Sequence, residues 1–168
     1  MKRFLGLNKA AFIACLGLAF FTIFVTQARA APATVTFNDL TNPNTALNGQ
    51  YPANVINWGN NAWFLSGPWG AFTTNSISYD SPSATSASFS FITAKILTSL
   101  QAYNGGTGSS TITISCTDNP AKTQSVGANT IVTITTAWTN PCTQITIGST
   151  NGWWTNFDNL VYDTVSQA

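Results

Sequence analysis

Beyond residue 30 the chain alternates. β-Branched or aromatic residues take every second position, Ser, Thr and Asn fill those between, and Gly, Pro and Asn break the runs. A period of two puts successive side chains on opposite faces of a strand, so each run carries one apolar and one hydroxyl-bearing face. The pattern predicts strands over 34–38, 54–58, 75–79, 86–92, 96–103, 111–116, 130–136, 143–147 and 155–162. In 111–116, Ile112, Ile114 and Cys116 share one face, and Thr111, Thr113 and Ser115 the other. A helix would fit 93–100, but Ile96, Thr98, Leu100 and Ala102 keep the two-residue spacing, and a strand is expected. Turns are expected at Asn104-Gly105-Gly106-Thr107-Gly108, Asp118-Asn119-Pro120 and Asn140-Pro141. Short strands that are apolar on one side bury that side by stacking in two layers. The expected fold class is therefore all-β, a two-sheet antiparallel β-sandwich of the jelly-roll type.

The first 30 residues follow another rule. Lys2, Arg3 and Lys9 precede an apolar or small stretch over 10–25, and Ala28-Arg29-Ala30 follows it. A positive start, a short apolar run and a small-x-small site describe a cleavable secretory signal. A second such site, Ala31-Pro32-Ala33, places the cut after Ala30 or Ala33. The run falls short of the roughly 20 residues of a membrane span. Residues 1–30 are thus expected to be a signal peptide, and 31–168 a single secreted domain with no membrane attachment after cleavage.

Removing the leader changes the charge. Four of the six basic residues go with it, leaving Lys95 and Lys122 against Asp39, Asp80, Asp118, Asp158 and Asp163, a net charge of −3. Binding nucleic acid needs a basic stripe to displace counterions, and the exported part has no Arg at all. It also lacks His and Glu. A Ser-His-Asp triad is excluded, and no Asp lies in a local pattern that marks an acid–base pair for glycoside hydrolysis. The expectation is a protein that is not an enzyme. Cys116 and Cys142 are left as a pair once Cys15 is set aside, and in an oxidising compartment they are expected to form a disulfide.

Aromatics carry the remaining signal. Trp58, Trp63 and Trp69 lie in a segment rich in Asn, Gly and Pro, and Trp153 and Trp154 follow Asn151-Gly152. Flat rings stack on the C–H faces of sugars while amides bond the hydroxyls, so aromatics in polar loops suit a saccharide site. For any one Trp, filling the core is the commoner role. Trp58 and Trp154, in or beside strands, are expected to be core. Trp63, Trp69, Trp153 and Tyr103 are the candidate ligand contacts, with Asn60, Asn61 and Gln101 as polar partners. Phe37-Asn38-Asp39-Leu40 and Phe157-Asp158-Asn159-Leu160 form a second constellation. Its carboxylates and amides are hard oxygen donors suited to Ca²⁺ if the two strands are neighbours; the more ordinary role of such residues is turn and strand-end chemistry, Asp and Asn capping free backbone N–H groups.

Three stretches carry a family resemblance: Val35-Thr36-Phe37-Asn38-Asp39-Leu40, Leu97-Thr98-Ser99-Leu100-Gln101-Ala102-Tyr103-Asn104-Gly105-Gly106, and the closing Asn151-Gly152-Trp153-Trp154 through Phe157-Asp158-Asn159-Leu160-Val161-Tyr162. Together they resemble the jelly-roll, galactose-binding-like modules of secreted bacterial proteins, among them the carbohydrate-binding modules of extracellular hydrolases. The resemblance implies a structural calcium held by Asp39 and Asp158, and a ligand site on a concave sheet face or in loops at one end. The function expected is recognition of a neutral polysaccharide or glycan by a secreted, non-catalytic module. The alternative is an extracellular structural or surface adhesion protein without a saccharide site. Oligomeric state is not encoded in these patterns.

Overall fold

The alternation becomes strands. The computed structural model describes residues 31–164, and the expected leader lies outside them. In chain order the strands are β1 (Ala33–Val35), β2 (Thr45–Leu47), β3 (Ile56–Asn57), β4 (Trp63–Ser66), β5 (Ser76–Tyr79), β6 (Ser86–Asn104), β7 (Ser110–Cys116), β8 (Asn119–Val126), β9 (Thr130–Thr135), β10 (Cys142–Ser149) and β11 (Thr155–Thr164). A single 3₁₀ turn, Gly152–Trp154, leads into β11. Every pairing among these strands is antiparallel.

Strand β6, 19 residues long, belongs to both layers. Its first half pairs with β10, from Gly148↔Ser86 to Cys142↔Lys95, and with β3 at Ile56↔Phe91. Its second half pairs with β11, from Thr164↔Lys95 to Thr155↔Asn104, and with β9. One layer is thus β2-β4-β5-β11-β6-β9 with β1 on β11, and the other is β3-β6-β10-β7-β8. The all-β sandwich expected from the sequence is what the chain forms.

The core lies between the layers. Trp58, Trp63, Phe89 and Phe157 are buried, and their rings meet at 4.9–6.3 Å, several of them edge to face. Each such ring contributes roughly 1.5–3 kcal/mol by burial, and a well-oriented pair about 0.5–1.5 kcal/mol more. Side chains also bond from one layer to the other: Tyr79 Oη donates to Ile147 O at 3.3 Å, Trp63 Nε1 to Ser88 O at 2.9 Å, and the Ser149 and Thr155 hydroxyls share a hydrogen bond. Cys116 and Cys142 form the expected disulfide, with Cα atoms 6.2 Å apart, joining β7 to β10.

The strand map differs from expectation in two ways. No break occurs at 93–95: β6 runs through from one layer to the other, its β10 pairing shifting register between Ser90 and Lys95 and its β11 pairing starting at Lys95. Strands β2, β4 and β8 were not expected. Strand β8 pairs only with β7, and Val126 is its only buried residue, so it needs no apolar alternation. Pro120, read as ending a run, lies near its start, where an edge strand tolerates proline.

Candidate functional site

The outer face of the layer holding β4, β5 and β11 is where the aromatic side chains outside the core gather. With Trp63 and Leu65 buried, β4 turns Phe64 and Ser66 outward. Register places Phe64 opposite Ser78, Ser66 opposite Ser76, Asn156 opposite Tyr103 and Asp158 opposite Gln101. The floor is therefore polar yet buried: Ser76, Ser78 and Asn156 are at most 3% exposed, and Asn156 Nδ2 donates to Ser76 Oγ at 2.8 Å.

Segment 67–75 folds over one side of this floor. Reciprocal backbone bonds between Trp69 and Phe72, at 3.0 and 3.1 Å, close a tight hairpin. Both rings pack on Tyr103, at 5.3 and 6.0 Å, nearly edge-on. The Trp69 indole rests against Gly105, where any Cβ would overlap its ring. The 3₁₀ turn supplies the opposite wall. Gly152 there has φ +49°, and a Cβ would come within 2.6 Å of Ala84 O, so only glycine makes this bend. The bend brings Trp153 to Phe64 (centroids 5.1 Å apart) and Trp154 to Trp69 (6.2 Å).

A cleft of ≈ 280 Å³ results, walled by Phe64, Trp69 and Trp153 and floored by Ser66, Ser78, Asn156 and Asn44. None of these side chains ionises. Half-buried rings around fixed amides and hydroxyls can stack on an apolar face while exchanging hydrogen bonds at its rim. On the far side of Trp69 a second cleft of ≈ 310 Å³ is lined by residues 105–108, Asn151 and Trp154.

Two candidate contacts, Trp69 and Trp153, are brought together here. Trp63 is not: it is fully buried between the layers, because the β4 register faces it inward. Tyr103 is also buried, at 4% exposed, and serves as the pedestal for Trp69 and Phe72, its Oη donating to Asn129 Oδ1 at 3.3 Å. Asn60 and Asn61 are exposed but line neither cleft; the Asn61 N–H is held by Asn48 Oδ1. Gln101 lies outside the clefts too, its Oε1 accepting from Asn159 Nδ2 at 2.8 Å. Trp154, expected in the core, is 56% exposed. Trp58 is core as expected. Sequence reasoning missed Phe64 and Asn156, although alternation with the inward Trp63 and Phe157 would have turned both outward.

The strands that carry these two stretches do become neighbours: β1 pairs with β11, Val35 opposite Leu160. Tyr51 Oη donates to Asp39 Oδ1, and the Tyr51 hydroxyl is pushed upward by burial first, then by that bond and by both carboxylates. Asp158 is 2% exposed, and burial raises its carboxyl to about 6, against bonds from the Asn159 N–H and Thr74 Oγ1. Asn75 Nδ2 donates to Phe37 O at 3.1 Å and Leu40 O at 2.9 Å, so two loop carbonyls converge close by. These oxygens are of the kind a hard cation takes. Among the described residues no three His, Cys, Asp or Glu side chains cluster.

No family model matches the chain, and no curated protein does. Similar solved structures are family 29 carbohydrate-binding modules. One, at 16% identity, covers 80% of this chain and 90% of its own, with TM-score 0.43. Two point variants of such a module, from work on ligand recognition, match at 12% and 15% identity. Each covers 80% of this chain, and 91% or 93% of its own, with TM-score 0.40.

Proposed function

We propose that this chain is a non-catalytic domain that binds a neutral saccharide in the cleft between Trp69 and Trp153. The observation that carries the reading is the lining of that cleft: three aromatic rings over Ser and Asn groups, Ser78 and Asn156 buried among them, with no ionisable side chain. Such a lining offers stacking surface and hydrogen bonds but no electrostatic hold, which suits an uncharged polyhydroxylated ligand. Burial of Trp63, Trp69 and Trp153 together would favour the adhesion alternative; Trp63 is fully buried, whereas Trp69 and Trp153 are partly exposed. Secretion belongs to the same reading, supported by the leader pattern and the disulfide.

The reading also includes a structural calcium. Asp39 and Asp158 would hold it, bracing the loop after β1 against β11, and it would neutralise their carboxylates there. Chelation is then expected to lower the thermal midpoint, with Asp39→Asn insensitive to chelator. An unchanged midpoint counts against the ion.

Calorimetric titration with neutral polysaccharides tests the saccharide site. Wild type is expected to bind at least one of them, and Trp153→Ala to weaken that binding by roughly tenfold or more, a loss of about 1.4 kcal/mol. Equal binding by both proteins would remove the cleft from consideration.

A further inference from the structure

The cleft beyond Trp69 has no part in the reading above, yet it is built from the same pieces. Trp69 is shared: its indole lines the first cleft, while its six-membered ring rests on Gly105 of the second. The 3₁₀ turn is shared as well, since it sends Trp153 into the first cleft and the next residue, Trp154, into the second. The Trp69 and Trp154 rings lie 6.2 Å apart with planes tilted by 36°.

The second cleft is also fixed in advance. Asn104 is fully buried and its Nδ2 donates to Gly108 O at 2.7 Å and Val126 O at 3.1 Å, pinning the glycine-rich turn. Its Oδ1 receives the Gly106 N–H at 3.0 Å and Asn151 Nδ2 at 2.8 Å. Asn151 Nδ2 gives its other hydrogen to Gly108 O at 3.2 Å. Both amide hydrogens are thereby used, and Oδ1 of Asn151 is left as an acceptor in the wall of a cleft that also holds an indole 56% exposed. A ring held beside an oriented acceptor, without ionisable groups, repeats the chemistry of the first cleft, and its rigidity spares a ligand the cost of ordering it.

We propose that the second cleft is an adjoining subsite for a further unit of the same neutral saccharide chain, which stacks on Trp154 and donates a hydroxyl to Asn151 Oδ1. The ligand is then an oligo- or polysaccharide held on both sides of Trp69. This rests on the saccharide reading of the first cleft and extends it to ligand length.

Amide and indole NMR titrations with neutral gluco-, manno-, galacto- and xylo-saccharides of one to six units test the proposal, because they read weak binding as well as tight. Single sugars are expected to shift the indole signals of Trp69 and Trp153. Longer chains are expected also to shift the Trp154 indole and the amides of residues 106–108, and to bind about 5–10-fold more tightly. Trp154→Ala should keep the wild-type melting temperature and single-sugar affinity while losing the gain with length; Trp154→Phe should restore part of it. Binding that does not strengthen with length, or a full length gain in Trp154→Ala, overturns the subsite and leaves the first cleft standing. Absence of any shift with every saccharide overturns both.

Discussion

At the scale of single residues, neighbours in sequence have opposite roles. Trp63 faces the core and Phe64 the cleft; Trp153 lines one cleft and Trp154 the next. Trp63→Ala is therefore expected to cost about 3–5 kcal/mol of stability, measured by denaturant titration, because it empties a large buried volume. Trp153→Ala should leave stability nearly intact and act on binding instead. Gly105→Ala is a subtler probe: the added methyl must displace the Trp69 ring. It should weaken saccharide binding severalfold in calorimetry while the circular dichroism spectrum is unchanged. An unchanged affinity would mean that the position of Trp69 is immaterial. Which aromatics face outward was only partly legible in the sequence. Loop-like composition around Trp63 hid a four-residue strand, so a composition rule placed that ring outside when its register places it inside.

At the scale of elements, the legible and illegible parts separate by burial. Strands with one buried face, such as β7 and β10, stood out because water on one side and core on the other impose alternation. Strand β8, at the edge, lacks that imprint, and the pedestal role of Tyr103 depends on segment 67–75 crossing the sheet, which no local pattern encodes. Strand β11 carries an element-scale prediction through Asp158. Its carboxyl keeps its proton in the folded chain up to about pH 6, whereas the unfolded chain releases it near pH 4. The folded state thus holds an extra proton in that window, and stability falls as pH rises through it and then levels. In chelator-treated protein the thermal midpoint should decline between about pH 4 and pH 6.5, and Asp158→Asn should flatten the decline. Identical pH profiles for the two proteins would contradict the burial of this group. Added Ca²⁺ should reverse the decline at neutral pH if the ion binds there.

At the scale of the whole molecule, charge stays out of both aromatic clefts, Asp158 lying on the same layer but lining neither. Five Asp and two Lys lie beyond residue 30, and none lines either aromatic cleft. Binding should then change little between low and high salt, unlike recognition of a charged polymer. Reduction of Cys116–Cys142 should lower stability by roughly 3–4 kcal/mol on the chain-entropy account without altering the saccharide site, since the bridge joins β7 to β10 in the other layer. The central claim, that this face holds a neutral saccharide, is tested most directly by affinity electrophoresis of wild type and Trp153→Ala through gels containing neutral polysaccharides. The account predicts retardation of the wild type by at least one of them, insensitive to salt and lost in the variant. Equal mobility of the two proteins in every gel would contradict it.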